Sequence, residues 1–212
     1  MCRLLFIKSE IDFRISEHLK IFSLICKNSK EYQGHGWGCS YLFNGEWKHY
    51  KNLVPIWEDD PSQFGTTKRL IVHARSAFRD KDINVKNNMP FYDENYIFIF
   101  NGELLGVKIK SEGRIGAEKI FNFIKKLNKN DMNMALDKSV GIIKKRSKFI
   151  KAMNIIIADE ERQFLSTYYS EDPEYFGMWY KKIGNDLLIC SEKYPDEKGW
   201  QRIENNFTGE IK

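Results

Sequence analysis

The alternation of apolar and polar positions sets strands at both ends of this chain and a pair of helices between them. Leu4, Leu5, Phe6 and Ile7 form a short apolar run that predicts a buried strand over residues 2–7, holding the first residues inside the fold. Over residues 16–26 the apolar side chains Leu19, Phe22, Leu24 and Ile25 predict a helix, with Ser16 as its N-cap and Glu17 in its first turn. The glycine-rich turn Gly34-His35-Gly36-Trp37-Gly38 leads into a hairpin of strands 39–43 and 47–51, joined at Asn44-Gly45. Two strongly apolar strands follow, 70–74 and 96–100, and each runs straight into polar residues. Helices are predicted over 117–127, where Ile120, Phe121 and Ile124 share a face, and over 132–145. Strands return at 153–158, 163–169, 177–182, 186–190 and 200–203. Strands, a helical pair and strands again suggest two sheets covered by helices.

Composition narrows the class. The chain has 212 residues, 42% hydrophobic and 30% charged, with no internal repeat or low-complexity stretch, and reads as one globular domain over 1–212. No apolar run approaches the ~20 residues a membrane helix needs. The opening run is short and is followed at once by Lys8 and Glu10, unlike a signal peptide, so a cytoplasmic location is expected. The net charge of +5 comes from scattered lysines, densest at Lys144, Lys145, Arg146 and Lys148. Without an aromatic-laced basic motif these read as solvated helix faces, and nucleic-acid binding is the lesser reading. Cys2, Cys26, Cys39 and Cys190 lie far apart, with no Cys-x-x-Cys pair and no histidine at ligand spacing, so free thiols and no metal are expected.

Polar groups delivered at strand ends are a common way to build an active site. Cys2 would carry a nucleophile and its base in one residue if Met1 were removed. The thiol needs a base to become thiolate, and an N-terminal α-amine has a pKa of ~7.7–8.0. Its plain alternative is an inert buried thiol. Asn101-Gly102 reads either as a β-turn, as Asn44-Gly45 does, or as a pair of donors to an oxyanion. Arg75 is either a surface ion-pair partner or a bidentate carboxylate receptor.

Taken together, Cys2, His73-Ala74-Arg75-Ser76-Ala77, Asn88-Met89-Pro90-Phe91 and Phe100-Asn101-Gly102-Glu103-Leu104 resemble the class II glutamine amidotransferases of the N-terminal nucleophile superfamily. The variety that comes closest is the short stand-alone type that begins Met-Cys-Arg-Leu-Leu, and the resemblance continues through Gly36-Trp37-Gly38, Gly113-Arg114 and Ser191-Glu192. It implies an α+β fold, a four-layer αββα sandwich with two mainly antiparallel sheets between helices. It also implies hydrolysis of a glutamine or related γ-glutamyl amide through a Cys2 thioester, with Asn101 and Gly102 holding the oxyanion and Arg75 receiving the α-carboxylate. His73, as a hydrogen-bonding residue rather than a base, joins Ser76, Trp37, Gly38 and Glu103 in the implied substrate site. No cofactor is implied, and the ammonia released would pass to a partner subunit or into solution.

Two departures from the family pattern stand out. Gly116 occupies the place of the usual aspartate that binds the substrate ammonium, in the stretch Gly113-Arg114-Ile115-Gly116-Ala117-Glu118, and Met89 replaces the histidine of Asn-x-His-Pro. Either Glu118 or Glu112 supplies a carboxylate from a shifted position, or the substrate lacks a free ammonium there. The alternative reading is a catalytically silent or altered-substrate relative that binds a ligand or regulates.

Overall fold

A computed structural model describes residues 1–211. In chain order the elements are β1 (Arg3–Arg14), α1 (Ile15–Lys27), β2 (Trp37–Phe43), β3 (Glu46–Asn52), β4 (Thr66–Ala74), β5 (Phe91–Tyr92), β6 (Ile97–Leu105), α2 (Gly116–Leu127), α3 (Met132–Arg146), β7 (Phe149–Ala158), β8 (Gln163–Tyr169), α4 (Pro173–Phe176), β9 (Trp179–Ile183), β10 (Asp186–Cys190), β11 (Gln201–Arg202) and β12 (Thr208–Glu210). Two compact units share them. The first comprises Met1–Pro90 and Met178–Arg202; the second comprises Phe91–Gly177 and the chain from Ile203 onward.

The first unit holds a seven-stranded antiparallel sheet in the order β11-β9-β10-β1-β4-β2-β3. Leu5, Ile7, Trp37, Val72, Ala74 and Leu188 point to one face, where α1 seats Leu19, Phe22 and Ile25. Each buried Leu, Ile, Val or Phe among these contributes about 1.5–3 kcal/mol of apolar burial. Leu4, Phe6, Ile71 and His73 alternate onto the opposite face and are also buried. Asn44 and Gly45 both adopt positive φ, 51° and 78°, which gives the expected hairpin turn between β2 and β3.

The second unit holds a five-stranded antiparallel sheet in the order β12-β8-β7-β6-β5. Helices α2 and α3 pack on each other, and α3 also lies against β8. Phe121 of α2 stacks on Phe98 of β6 with ring centroids 4.9 Å apart, so the helices cover the face bearing Phe98, Ile157 and Phe164.

Two expectations are corrected and one element is added. Ser16 is not the cap of α1, because β1 runs directly into the helix. Arg14 takes the cap position without a side-chain bond, and the Ile15 amide donates instead to Gly65 O at 3.1 Å. The strand expected to stop at Phe100 continues to Leu105, with Asn101 paired to Asn154 and Gly102 to Met153. Pairing with β7 carries it past the polar residues, so Asn101-Gly102 is neither a turn nor a strand end. Thr208–Glu210 adds an edge strand that the weak local pattern did not announce.

Candidate active site

Cys2 immediately precedes β1, and the residues beside it fix it in place. Leu4 N donates to Ser191 Oγ at 3.0 Å, and Ser191 N donates back to Leu4 O at 3.0 Å. The buried Arg3 guanidinium reaches Ser29 Oγ at 3.1 Å, Ser191 O at 3.2 Å and Glu192 at 2.8 Å. Met1 is buried, with its ammonium paired to Glu31 and its carbonyl accepting from Gln33 Nε2 at 2.7 Å. The N-terminus is therefore held rather than frayed. Gln33 and Glu31 were not singled out in the sequence, since nothing local marks a loop glutamine as the partner of a residue about thirty positions away.

The Cys2 thiol lies against one residue of the chain that follows β4. It accepts the Ser76 N–H at 3.4 Å and donates to Ser76 O at 3.6 Å. Burial pushes the thiol above its ordinary value, while the Ser76 N–H, the N-terminal ammonium and the Arg75 charge pull it back toward thiolate. Arg75 is placed by its own backbone: its N–H donates to Gly36 O at 2.9 Å, and its carbonyl accepts from His35 N at 3.1 Å. The Gly34–Gly38 turn is thus the cradle of Arg75. Gly36 is required there, since its φ is +97° and a Cβ would come within 2.1 Å of Asn88 Nδ2 and 2.5 Å of Asn52 O.

Asn88 is fully buried and bridges this cradle, accepting from Arg75 Nη1 at 3.3 Å and donating to Asn52 O at 2.8 Å. Its motif was noted in the sequence, but its hold on Arg75 was not. Burial lowers the Arg75 pKa, and the nearby Cys2 and Asp82 oppose that shift. His35 was read only as a turn residue. It accepts the Ala77 N–H at Nδ1, 2.9 Å away, and so braces the segment carrying Ser76.

The remaining expected residues fall as follows. His73 is buried within β4, paired with Leu4 on one side and Gly38 on the other. Trp37 belongs to the core under α1, and its Nε1 donates to Asp59 at 2.9 Å. Gly38 keeps its backbone close to Met89 O, which a Cβ would meet at 2.6 Å. The first unit therefore brings together Cys2, His73, Arg75, Ser76 and Gly38.

Asn101, Gly102 and Glu103 follow one another on β6 in the second unit. Asn101 is buried and its Oδ1 has no hydrogen-bond partner among the described residues. Gly102 is needed where it stands, because a Cβ would meet Ala152 O at 2.5 Å on the adjoining strand. Glu103 lies 3.9 Å from Lys151. Gly116 opens α2 with open space where a side chain would extend. Glu118 is committed to Arg114 through two bonds to Nε at 3.0 and 2.9 Å, while Glu112 is exposed.

No family model and no curated protein matches the chain. Solved structures do. Glutamine phosphoribosylpyrophosphate amidotransferase from B. subtilis aligns with a TM-score of 0.62 at 14% identity over 90% of this chain. This chain spans only 42% of that enzyme's length. A glutamine aminotransferase class-II domain protein from Silicibacter pomeroyi aligns with a TM-score of 0.66 at 13% identity, covering 96% of this chain and 92% of the other. A predicted glutamine amidotransferase from Pseudomonas aeruginosa gives 0.61 at 15% identity, covering 96% and 94%. The chain has the α+β fold of these glutamine amidotransferase structures.

Proposed function

We propose that the chain is a glutaminase-type amidohydrolase whose nucleophile is the Cys2 thiol, freed at the N-terminus when Met1 is removed. The observation that carries this reading is the seating of Cys2. A half-buried thiol at a pinned chain terminus receives a backbone N–H from Ser76, next to a guanidinium held by Asn88. The other three cysteines are buried and none stands at the chain terminus; burial raises their thiols, Cys190 to about 12 even with the Glu192 and Ser191 N–H groups and the Arg3 charge beside it.

In this mechanism the α-amine of Cys2 takes the thiol proton as Sγ attacks the amide carbon. The negative charge that develops on the amide oxygen is received by the Asn101 side-chain amide and the Gly102 N–H. Collapse of the tetrahedral intermediate breaks the C–N bond, and the amine returns the proton to the departing ammonia. A thioester to Cys2 remains, and water attacks it with the same amine as base, releasing the acid and the thiol. Arg75 receives the substrate α-carboxylate through its planar pair of N–H donors. The substrate is glutamine or a related γ-glutamyl amide, and a partner that consumes ammonia fits the chemistry.

Gly116 favours a second reading, an altered substrate or a silent binding protein, because no carboxylate stands at that position and Glu118 is engaged by Arg114. Mass spectrometry of the intact protein separates the two. Loss of Met1 and a single adduct with a diazo-ketone glutamine analogue, absent in Cys2→Ala, is the expected result. Retained Met1 would refute the enzyme reading, and a free Cys2 that takes no adduct would favour the second.

A further inference from the structure

Three polar side chains stand in one row across the second unit's sheet: Asn101 on β6, Asn154 on β7 and Thr167 on β8, paired Asn101 to Asn154 and Asn154 to Thr167. Cross-strand partners share a face, and in directly opposed pairs their Cβ atoms lie about 4.5–5.5 Å apart. All three are buried, Asn101 at 1% exposure and the other two at 0%. Of the two adjoining rows on the same face, Ile99, Ile156 and Leu165 is entirely apolar, and Glu103, Ala152 and Tyr169 is mixed. A buried polar group left unpaired is destabilising, so the partners of these three side chains need accounting for.

Two of those bonds set the Asn154 amide. Its Oδ1 accepts from the Thr167 hydroxyl at 2.6 Å, and its Nδ2 donates to Phe176 O at 2.8 Å. With the oxygen turned to β8, the nitrogen is turned away from it. An amide nitrogen carries two N–H groups, and only one of them is spoken for among the described residues. In the same row, the Asn101 Oδ1 is a buried acceptor without a donor.

We infer that Asn154 is a positioning residue for Asn101, donating its second N–H to Asn101 Oδ1 during the reaction; this rests on the proposed role of Asn101 toward the oxyanion. An inverted Asn101 amide would aim its oxygen at the developing negative charge. The Asn154 donor forbids that inversion, because it requires Oδ1 on its own side and so turns Asn101 Nδ2 outward. The donors then run in one direction: Thr167 O–H to Asn154, Asn154 N–H to Asn101, Asn101 N–H to the oxyanion. Bonds aligned head to tail polarise one another, so each donor upstream strengthens the last.

The test uses the full chain with Met1 removed, and L-glutamine and γ-glutamyl p-nitroanilide as probes. Asn154→Leu is expected to lower kcat about 10–100-fold with KM within about twofold, somewhat less than the ~10²–10³ of losing an oxyanion donor outright. Thr167→Val, which keeps the side-chain shape and frees the Asn154 amide to turn, serves where Asn154→Leu folds poorly, and about 3–10-fold in kcat is expected. The double variant Asn101→Ala/Asn154→Leu is expected to be no slower than Asn101→Ala alone, since Asn154 acts only through Asn101. Alkylation of Cys2 by iodoacetamide, which uses no oxyanion hole, is expected at the wild-type rate throughout. If Asn101→Ala slows kcat while folded Asn154→Leu and Thr167→Val do not, or raise KM alone, the inference is overturned and the amidohydrolase reading stands. If Asn101→Ala turns over as fast as wild type, or the wild type labels at Cys2 yet hydrolyses neither probe, the assigned role of Asn101 falls and the inference with it.

Discussion

The bridge formed by Asn88 can be broken with one substitution whose effects on stability and on binding separate. Asn88→Ala removes the acceptor from Arg75 Nη1, 3.3 Å away, and the donor to Asn52 O, 2.8 Å away, at a residue with 0% exposure. A lost neutral bond is worth about 0.5–1.5 kcal/mol and a bond to a charged group about 1.5–3 kcal/mol. The Arg75 contact is long, which places it at the lower end and puts the whole change at about 2–3 kcal/mol. For a chain of this size each kcal/mol moves the melting temperature by roughly 2–4 °C, so a fall of about 4–12 °C is expected in a calorimetric or circular-dichroism melt. Asn88→Asp tests the electrostatic half: it keeps an oxygen toward Arg75 but adds a negative charge that competes with a substrate carboxylate. That variant is expected to hold its fold better than Asn88→Ala while raising KM for glutamine at least tenfold, read from initial rates. An Asn88→Ala melt within about a degree of wild type would refute the view that this amide supports the Arg75 cradle.

Other consequences follow from the same geometry. Burial lifts the Cys2 thiol in the protein that retains Met1, so its alkylation is expected to be slow at neutral pH and to accelerate as pH rises through 9; peptide mapping that finds native Cys39 or Cys190 labelled as fast as Cys2 would contradict this. Burial, with Lys51 beside it, holds His49 down to about 4 from an ordinary 6.5, so the unfolded chain binds the extra proton first and stability is lost as pH falls from about 6.5 toward 4, levelling below. His49→Gln is expected to flatten the melting temperature over that window, and an unchanged slope would sink the assignment. Gly116→Asp meets open space at the start of α2, where a negative charge suits the helix, so the fold is expected to be unchanged or slightly stabilised. It is also expected to lower KM for glutamine, and a KM no better than before would end the idea that Gly116 weakens ammonium binding.

Much of the architecture was readable because period and turn chemistry agree locally. The Asn44-Gly45 hairpin, α2 with Ile120, Phe121 and Ile124 inward, and α3 appear within a residue or two of expectation. What failed did so where a distant partner outweighed the local signal. Ser16 is a good cap in isolation, yet the helix already begins before it at Ile15, whose amide donates to Gly65 O from another part of the chain. The polar run after Phe100 reads as a strand end only until β7 is set beside it and pairs through Glu103. Cys2, Arg75 and Asn101 could be nominated as candidates from the sequence because each motif suggests its own chemistry. Gln33, His35 and Asn88 act by bonds to backbone groups far away in sequence, and no spacing encodes those.

The short motifs at the two ends of the first unit also acquire a physical meaning that letters alone do not give. Arg3 and Leu4 at the start of β1 meet Ser191 and Glu192 just past β10, the neighbouring strand, with the guanidinium, a hydroxyl, a carboxylate and four backbone groups closing on one another. Such a network needs its members together, since a buried guanidinium without its acceptors is far worse than none. It anchors the residue beside Cys2 to a strand that is itself flanked by β9, so the position of the thiol is set by the sheet rather than by a loop. A group at a chain terminus otherwise loses orientational freedom only on meeting a ligand; here that ordering is built in during folding, which is what the proposed use of Cys2 as attacking group and base at once would require.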